Sequence, residues 1–280
     1  MERIKQALER ARNERGTEPA PTAGARATAG NIKGQGNGQG NGQGDGKIVY
    51  SQTRTFALDD KTARNNRLVT AIDNPMAVAA YKILRTKVLQ RMKHEGWNAL
   101  AVTSPGQGEG KTLTAVNLAI SIAQEVNHTV LLVDFDLRHP RVHEYMGYRP
   151  DKGVSDFIFN GAELSDVMFN PGIERMVVLP GREPVFNSSE VLSSPKMVTL
   201  VEELKSRYPS RIVVFDLPPV LSADDALAFS PYVDGALLVI EDGATTKDEV
   251  VQTLDYLSAT PVIGTVLNKA EDVPLQSYHG

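Results

Sequence analysis

The sequence predicts an α/β protein, a mostly parallel sheet with helices on both faces, and three observations predict it. Short apolar runs recur at residues 99–103, 129–134, 175–179, 211–216, 235–240 and 262–267. These runs carry Val, Ile and Leu without polar alternation, the pattern of strands buried on both faces and not of an antiparallel sandwich. Longer amphipathic stretches at 111–124, 194–208 and 247–257 alternate with them, as helical crossovers between parallel strands require.

Ahead of the first strand, residues 1–16 have helical periodicity, with Ile4, Ala7, Leu8 and Ala11 on one side, and predict a short amphipathic helix. Alone in water such a helix is marginal, so it suits a docking role. Residues 17–46 read as a flexible linker. Eight glycines fall between Gly30 and Gly46, among Asn and Gln, with almost nothing apolar to offset the entropy of ordering. Phe56 and Leu58 are the residues that would dock this tether onto the body. A helix is expected over 76–92, started by Asp73-Asn74-Pro75 and buried through Ala80, Ile83, Leu84, Val88 and Leu89. The domain is expected to span 47–270, with residues 271–280 as a flexible tail.

The segment AVTSPGQGEGKTLTAVNL carries the strongest chemical signal. A strand ends at Thr103, a glycine-rich turn follows, and Lys111-Thr112 opens a helix. Such a turn lets backbone N–H groups converge on phosphate oxygens; the lysine reaches the β and γ phosphates and the threonine hydroxyl can ligate Mg²⁺. The expected nucleotide-binding residues are Gly106, Gly108, Glu109, Gly110, Lys111, Thr112 and Leu113. Pro105 stands where the stricter pattern has glycine, which predicts a variant loop path. The expected fold is therefore a P-loop NTPase that uses ATP and Mg²⁺.

Two aspartates end later strands. VLLVDFDLR places Asp134 at a strand end with Asp136 and Arg138 beyond it, and IVVFDLPP places Asp216 the same way. Hard oxygen ligands bordering a phosphate loop suit a magnesium–triphosphate complex. Thr112, Asp134 and Asp216 are the expected metal set, Asp134 and Asp216 directly or through water. Lys111, Asp134, Asp136, Arg138 and Asp216 are the expected catalytic set. Asp134 or Asp136 would orient the attacking oxygen, and Arg138 would stabilise charge or tie adjacent chains together.

Other chemistry is disfavoured. The chain has no cysteine, so disulfide scaffolds, iron–sulfur centres and cysteine nucleophiles are excluded. The net charge is -4, with eight basic and five acidic residues in 1–49, so the remainder sums to -7 and is poor material for wrapping nucleic acid. No apolar run reaches the length of a membrane span, and the start is not a signal peptide. The expected location is cytoplasmic. His139 and His143 lack the companions of a zinc site.

These residues resemble the bacterial tyrosine kinases of exopolysaccharide export, within the MinD/ParA-like P-loop ATPases. The likeness covers about residues 73–270 and, more weakly, the leader MERIKQALERAR. It rests on Val133 to Arg138 with Pro140 and His143, on Asn187 to Leu192 with Ser194 to Met197, on Asp216 to Pro219, and on TVLNKA. The resemblance implies an autokinase that passes the ATP γ-phosphate to tyrosines, often in a neighbouring subunit's tail. It further implies that Asn268 contacts adenine and that an inner-membrane polysaccharide co-polymerase, a chain-length regulator, is the partner, holding the chain peripherally at that membrane. Homo-oligomerisation belongs to the same picture. Two departures stand out. The family's Glu-x-x-Arg-x-x-Arg contact motif is replaced by Ala79 to Arg85, with Lys82 for one arginine, and Tyr278 is the one tyrosine of the tail. Tyr278 is the expected acceptor. Tyr50 and Tyr81 are expected in accessible positions, Tyr208 and Tyr256 in helix packing. An ATP-driven switch without tyrosine transfer is the main alternative, and a partition-type ATPase, disfavoured by Gly106 where a lysine is usual, the more distant one.

Overall fold

The computed structural model describes residues 53–208 and 210–270. The expected helix and linker of residues 1–46, the tail, Tyr50 and Tyr278 lie outside them. Eight strands form one sheet in the order β1-β4-β5-β3-β6-β2-β7-β8. They are β1 (Arg54–Thr55), β2 (Ala99–Thr103), β3 (Thr129–Asp134), β4 (Phe169–Asn170), β5 (Met176–Leu179), β6 (Arg211–Asp216), β7 (Gly235–Glu241) and β8 (Val262–Asn268). All neighbours pair parallel except β4 with β5.

Helices cover both faces, and strand alternation divides the core between them. Ala99, Ala101, Leu131, Val133, Val213 and Phe215 face one layer. Leu100, Val102, Val130, Leu132, Ile212 and Val214 face the other. The second layer is built by α1 (Asp60–Asn65), α2 (Pro75–Glu95), α3 (Lys111–Ala123) and α4 (Val142–Tyr145). The first holds α5 (Val154–Phe159), α6 (Leu164–Val167), α7 (Ser188–Leu192), α8 (Pro195–Ser206) and α9 (Asp225–Phe229). The last helix, α10 (Lys247–Tyr256), lies between β7 and β8.

The expected helix starts are real. Asn74 Oδ1 accepts the Ala77 amide at 3.1 Å with Pro75 at the first position, and Thr246 forms a capping box with Glu249. The buried face of α2 differs from expectation. Tyr81, Leu84, Val88, Leu89 and Met92 pack inward, whereas Ala80 and Ile83 face out, Ile83 at 51% exposure. Leu84, Val88 and Leu89 pack as expected; at about 100° per residue the stripe they share with Tyr81 and Met92 leaves Ala80 at its margin and Ile83 on the far side.

The tyrosines also exchange places. Tyr81 is half-buried against the core, its hydroxyl pushed above the ordinary range by burial. Tyr208 and Tyr256 are 46% and 47% exposed. Phe56 meets Tyr148 at a ring distance of 5.0 Å beside β4, the rings tilted by 39°, and Leu58 packs on the core, while the tether expected to dock through them lies outside the described residues. Trp97 packs at the start of β7.

Candidate functional site

Parallel pairing sets the site. The strands β3, β6 and β2 are neighbours, so their C-terminal ends share one edge of the sheet, where ligands of open α/β sheets bind. Asp134 and Asp216 are Cα partners across β3 and β6, and Asp216 partners Val102 of β2. The loop leaving β2 is thereby beside both carboxylates. It is stitched to the chain leaving β6: Thr103 Oγ1 donates to Pro218 O at 2.7 Å, and Val220 N donates to Ser104 O at 2.8 Å.

Within the loop, Gly108 and Gly110 take φ of 84° and 92°, left-handed values that a side chain would strain. Gly106 does not, so the turn runs its special conformations through the two later glycines. A Cβ at Gly110 would also collide with Asn268 Nδ2. Asn268 Nδ2 donates to Glu109 O at 2.7 Å, so the end of β8 braces the loop. Glu109 is buried and folds back toward Gly106; Thr245 donates to its Oε1 at 2.6 Å while accepting Glu241 N at 2.8 Å. Burial holds the Glu109 carboxyl above its usual range, against the Thr245 bond.

At the start of α3, Lys111 Nζ donates to Asp136 Oδ2 at 2.6 Å and lies 3.9 Å from Asp216 Oδ1. Thr112 Oγ1 donates to Asp216 Oδ2 at 2.7 Å. Burial alone would lower the lysine, but Asp216 and Asp136 outweigh it and hold the ammonium above its ordinary value. Burial pushes Asp216 up to about 6, with Lys111 and Thr112 opposing. Asp134 is driven well above the carboxylate range by burial first and the charge of Asp216 second. Its Oδ2 accepts the Val142 amide at 2.9 Å, at the start of α4.

A cavity of about 590 Å³ opens over this edge, lined by Gly108, Gly110, Lys111, Thr112, Asp136 and Arg138. Six of the expected residues thus converge. Asp134 shares the edge but turns under α4. Asn268 and Glu109 brace the loop from its flank, and the Leu113 side chain packs on the core. Sequence reasoning missed Arg141, Tyr145 and Arg182, which also line the cavity, as do His143 and Pro219, singled out in the sequence only as parts of motifs. Arg182 follows β5, next to β3, with φ of 71° and two bonds to Asp156 at 2.7 and 2.9 Å. The signal that could have found it was the strand end at Leu179, followed by Gly181-Arg182. Burial lowers His143, whose Nδ1 is buried without a hydrogen-bond partner among the described residues.

The donor set fits a magnesium ion carried by a nucleotide. Asp134 Oδ1 and Asp216 Oδ1 are buried oxygens with no hydrogen-bond partner among the described residues, and Thr112 supplies a hydroxyl. No group of three or more His, Cys, Asp or Glu among the described residues is arranged to hold a metal unaided. Phosphate oxygens and water would complete the shell, as Mg²⁺ usually demands.

Residues 100–277 match the CobQ/CobB/MinD/ParA nucleotide binding domain family. The tyrosine-protein kinase YwqD of Bacillus subtilis is 29% identical over 213 residues, covering 75% of this chain and 89% of that protein. The chain belongs to this nucleotide-binding family. The tyrosine-protein kinase Wzc of Salmonella typhi is 31% identical over 202 residues, and the match spans 28% of that longer protein. Among solved structures, the kinase domain of the Escherichia coli tyrosine kinase ETK superposes with a TM-score of 0.68 at 28% identity, over 80% of this chain and 91% of that one. Membership makes residues 100–277 a nucleotide-binding domain. No helix among the described residues is long and apolar enough to cross a membrane.

Proposed function

We propose that this chain is a magnesium- and ATP-dependent protein-tyrosine autokinase of an exopolysaccharide system, with Tyr278 as an acceptor. One observation carries the reading. Lys111 spans Asp136 and Asp216 at the cavity wall, while Thr112 is held on Asp216, so cation, hydroxyl and carboxylates are assembled around one point.

In this reading the loop amides and Lys111 bind the β and γ phosphates, with the lysine released from Asp136 toward them. Thr112, Asp216 and Asp134 would hold magnesium, which supplies charge neutralisation of the phosphates. Asp136, which lines the cavity, accepts the proton of the tyrosine hydroxyl as that oxygen bonds to the γ-phosphorus. The bond from the γ-phosphorus to the bridging oxygen breaks, and ADP leaves with the electron pair. Arg138 meets the charge on the transferred group. Residues 1–16 would engage a cytoplasmic segment of the membrane co-polymerase, and 17–46 would tether them to the 47–270 domain.

A second reading, an ATP-driven switch on the same partner without tyrosine transfer, draws support from α2. Where the family has its contact motif, Ala79 replaces the acid, Lys82 is exposed, and Arg85 donates to Ser121 O at 3.1 Å within its own chain. Incubation with γ-labelled ATP and magnesium, with Y278F in parallel, separates the two. The autokinase predicts phosphotyrosine in the wild type and little in Y278F; hydrolysis without protein labelling would establish the switch.

A further inference from the structure

Arg138 lines the cavity beside Lys111, Thr112, Asp136 and Pro219. Its Nε donates to Asp225 Oδ2 at 2.7 Å, and an Nη lies 3.4 Å from Asp224 Oδ1. Asp225, the first residue of α9, is fully buried, and its Oδ1 is buried with no hydrogen-bond partner among the described residues. Arg138 stays partly open, its side chain 39% exposed. Such a pair is weak evidence for stability, since apolar replacements of buried ion pairs often fold as well or better.

The position of α9 is not incidental. Phe229, one helical turn beyond Asp225, meets the Phe135 ring edge-on at 5.0 Å and the Phe215 ring at 5.1 Å. Phe135 sits between Asp134 and Asp136, and Phe215 precedes Asp216. The helix carrying Asp225 is therefore packed beneath both acidic strand ends. The α7 segment, part of the Asn187 to Leu192 stretch that the phosphate chemistry leaves without a role, packs on α9 in the same core.

We infer that Asp225 is a positioning residue that fixes the Arg138 guanidinium at the cavity wall, where charge builds on the transferred phosphoryl group. The inference rests on the phosphoryl-transfer reading above. Holding Nε fixes the plane in which both terminal nitrogens lie, and that pre-organisation is what an arginine contributes to a phosphoryl site. Asp225 touches no reacting atom. Its effect passes through Arg138, so the two side chains act as one unit.

The test uses the full chain and its variants D225N, D225E, R138Q, R138K and R138Q/D225N, with ATP turnover, autophosphorylation and thermal unfolding measured on each. D225N and R138Q should each lower kcat about tenfold or more while KM for ATP stays within about twofold. The double variant should be no slower than R138Q, and D225E should recover part of the loss. R138K retains the charge without Nε and should fall like R138Q, so it serves even where D225N does not fold. Multiplying losses in the double variant, a D225N loss confined to KM, or wild-type kcat in D225N or R138K would overturn the inference. Absence of turnover in the wild type would instead overturn the reading beneath it.

Discussion

The ends of β3 and β6 stand side by side, each an aspartate, each fully buried, and Cα partners across the sheet. Their neighbours differ. Asp216 takes the Thr112 hydroxyl and lies near the Lys111 ammonium, so it belongs to the phosphate loop. Asp134 takes the Val142 amide, where Arg141 offers no side-chain cap, so it starts a helix. Equivalent places on a sheet edge therefore do not give equivalent chemistry. Which helix N-terminus lies within reach decides what a strand-end carboxylate holds besides the ligand, a phosphate-loop hydroxyl for Asp216 and a backbone amide for Asp134. The Lys111 cation opposes the burial that raises Asp216.

The largest expected effect comes from the cation that makes the two ends unequal. K111M should raise the barrier to ATP turnover by about 2–4 kcal/mol, some 30- to 1,000-fold in rate. Steady-state hydrolysis checks this, and near-wild-type turnover would remove Lys111 from the chemistry.

The second prediction concerns pH. Asp216 is raised from 3.8 to about 6, so its neutral form is favoured by folding. Its contribution to stability is complete below the unfolded value and is lost as pH rises through the native one. D216N should therefore gain on the wild type between about pH 4 and 6, by at most about 3 kcal/mol. Urea unfolding of both proteins across that window reads the difference. Parallel curves would show that Asp216 titrates normally.

A smaller effect separates the helix-starting role of Asp134 from its charge. D134A leaves the Val142 amide without its acceptor and should cost about 1–3 kcal/mol of stability. D134N keeps an acceptor oxygen and should unfold close to the wild type at neutral pH while still lowering ATP turnover. Equal stability of D134A and the wild type would break the comparison. The smallest effect is at the loop's flank. N268A removes the bond to Glu109 O, at about 1 kcal/mol, and should raise KM for ATP more than it lowers kcat.

Much of this was legible in the residues because strands buried on both faces are continuous apolar runs. Each of the six expected strands is present, 175–179 starting one residue later at Met176, and the helices at 111–124, 194–208 and 247–257 end within two residues of expectation. Lys111, Thr112 and Asp216 were legible because each sits at a strand end or helix start of a recognisable pattern, and Asp136 because it follows one by two residues. The two-residue strands β1 and β4 and the four- to six-residue helices were not, since neither is long enough to show a period. Asp225 reaches the site through tertiary packing of such a short element, and nothing local in its sequence marks it; Arg182 had only the strand end at Leu179 to announce it. Tyr208 was misread as packing because its ring lies under the Arg211 guanidinium at 4.0 Å, a contact that leaves it half open.

Calorimetric titration of ATP into the full chain, with and without magnesium and again with K111M, tests the central claim most directly. The account predicts magnesium-dependent binding at one site, weakened strongly in K111M. Heat-silent titrations confirmed by equilibrium dialysis to show no binding, or an affinity indifferent to Lys111, would contradict it.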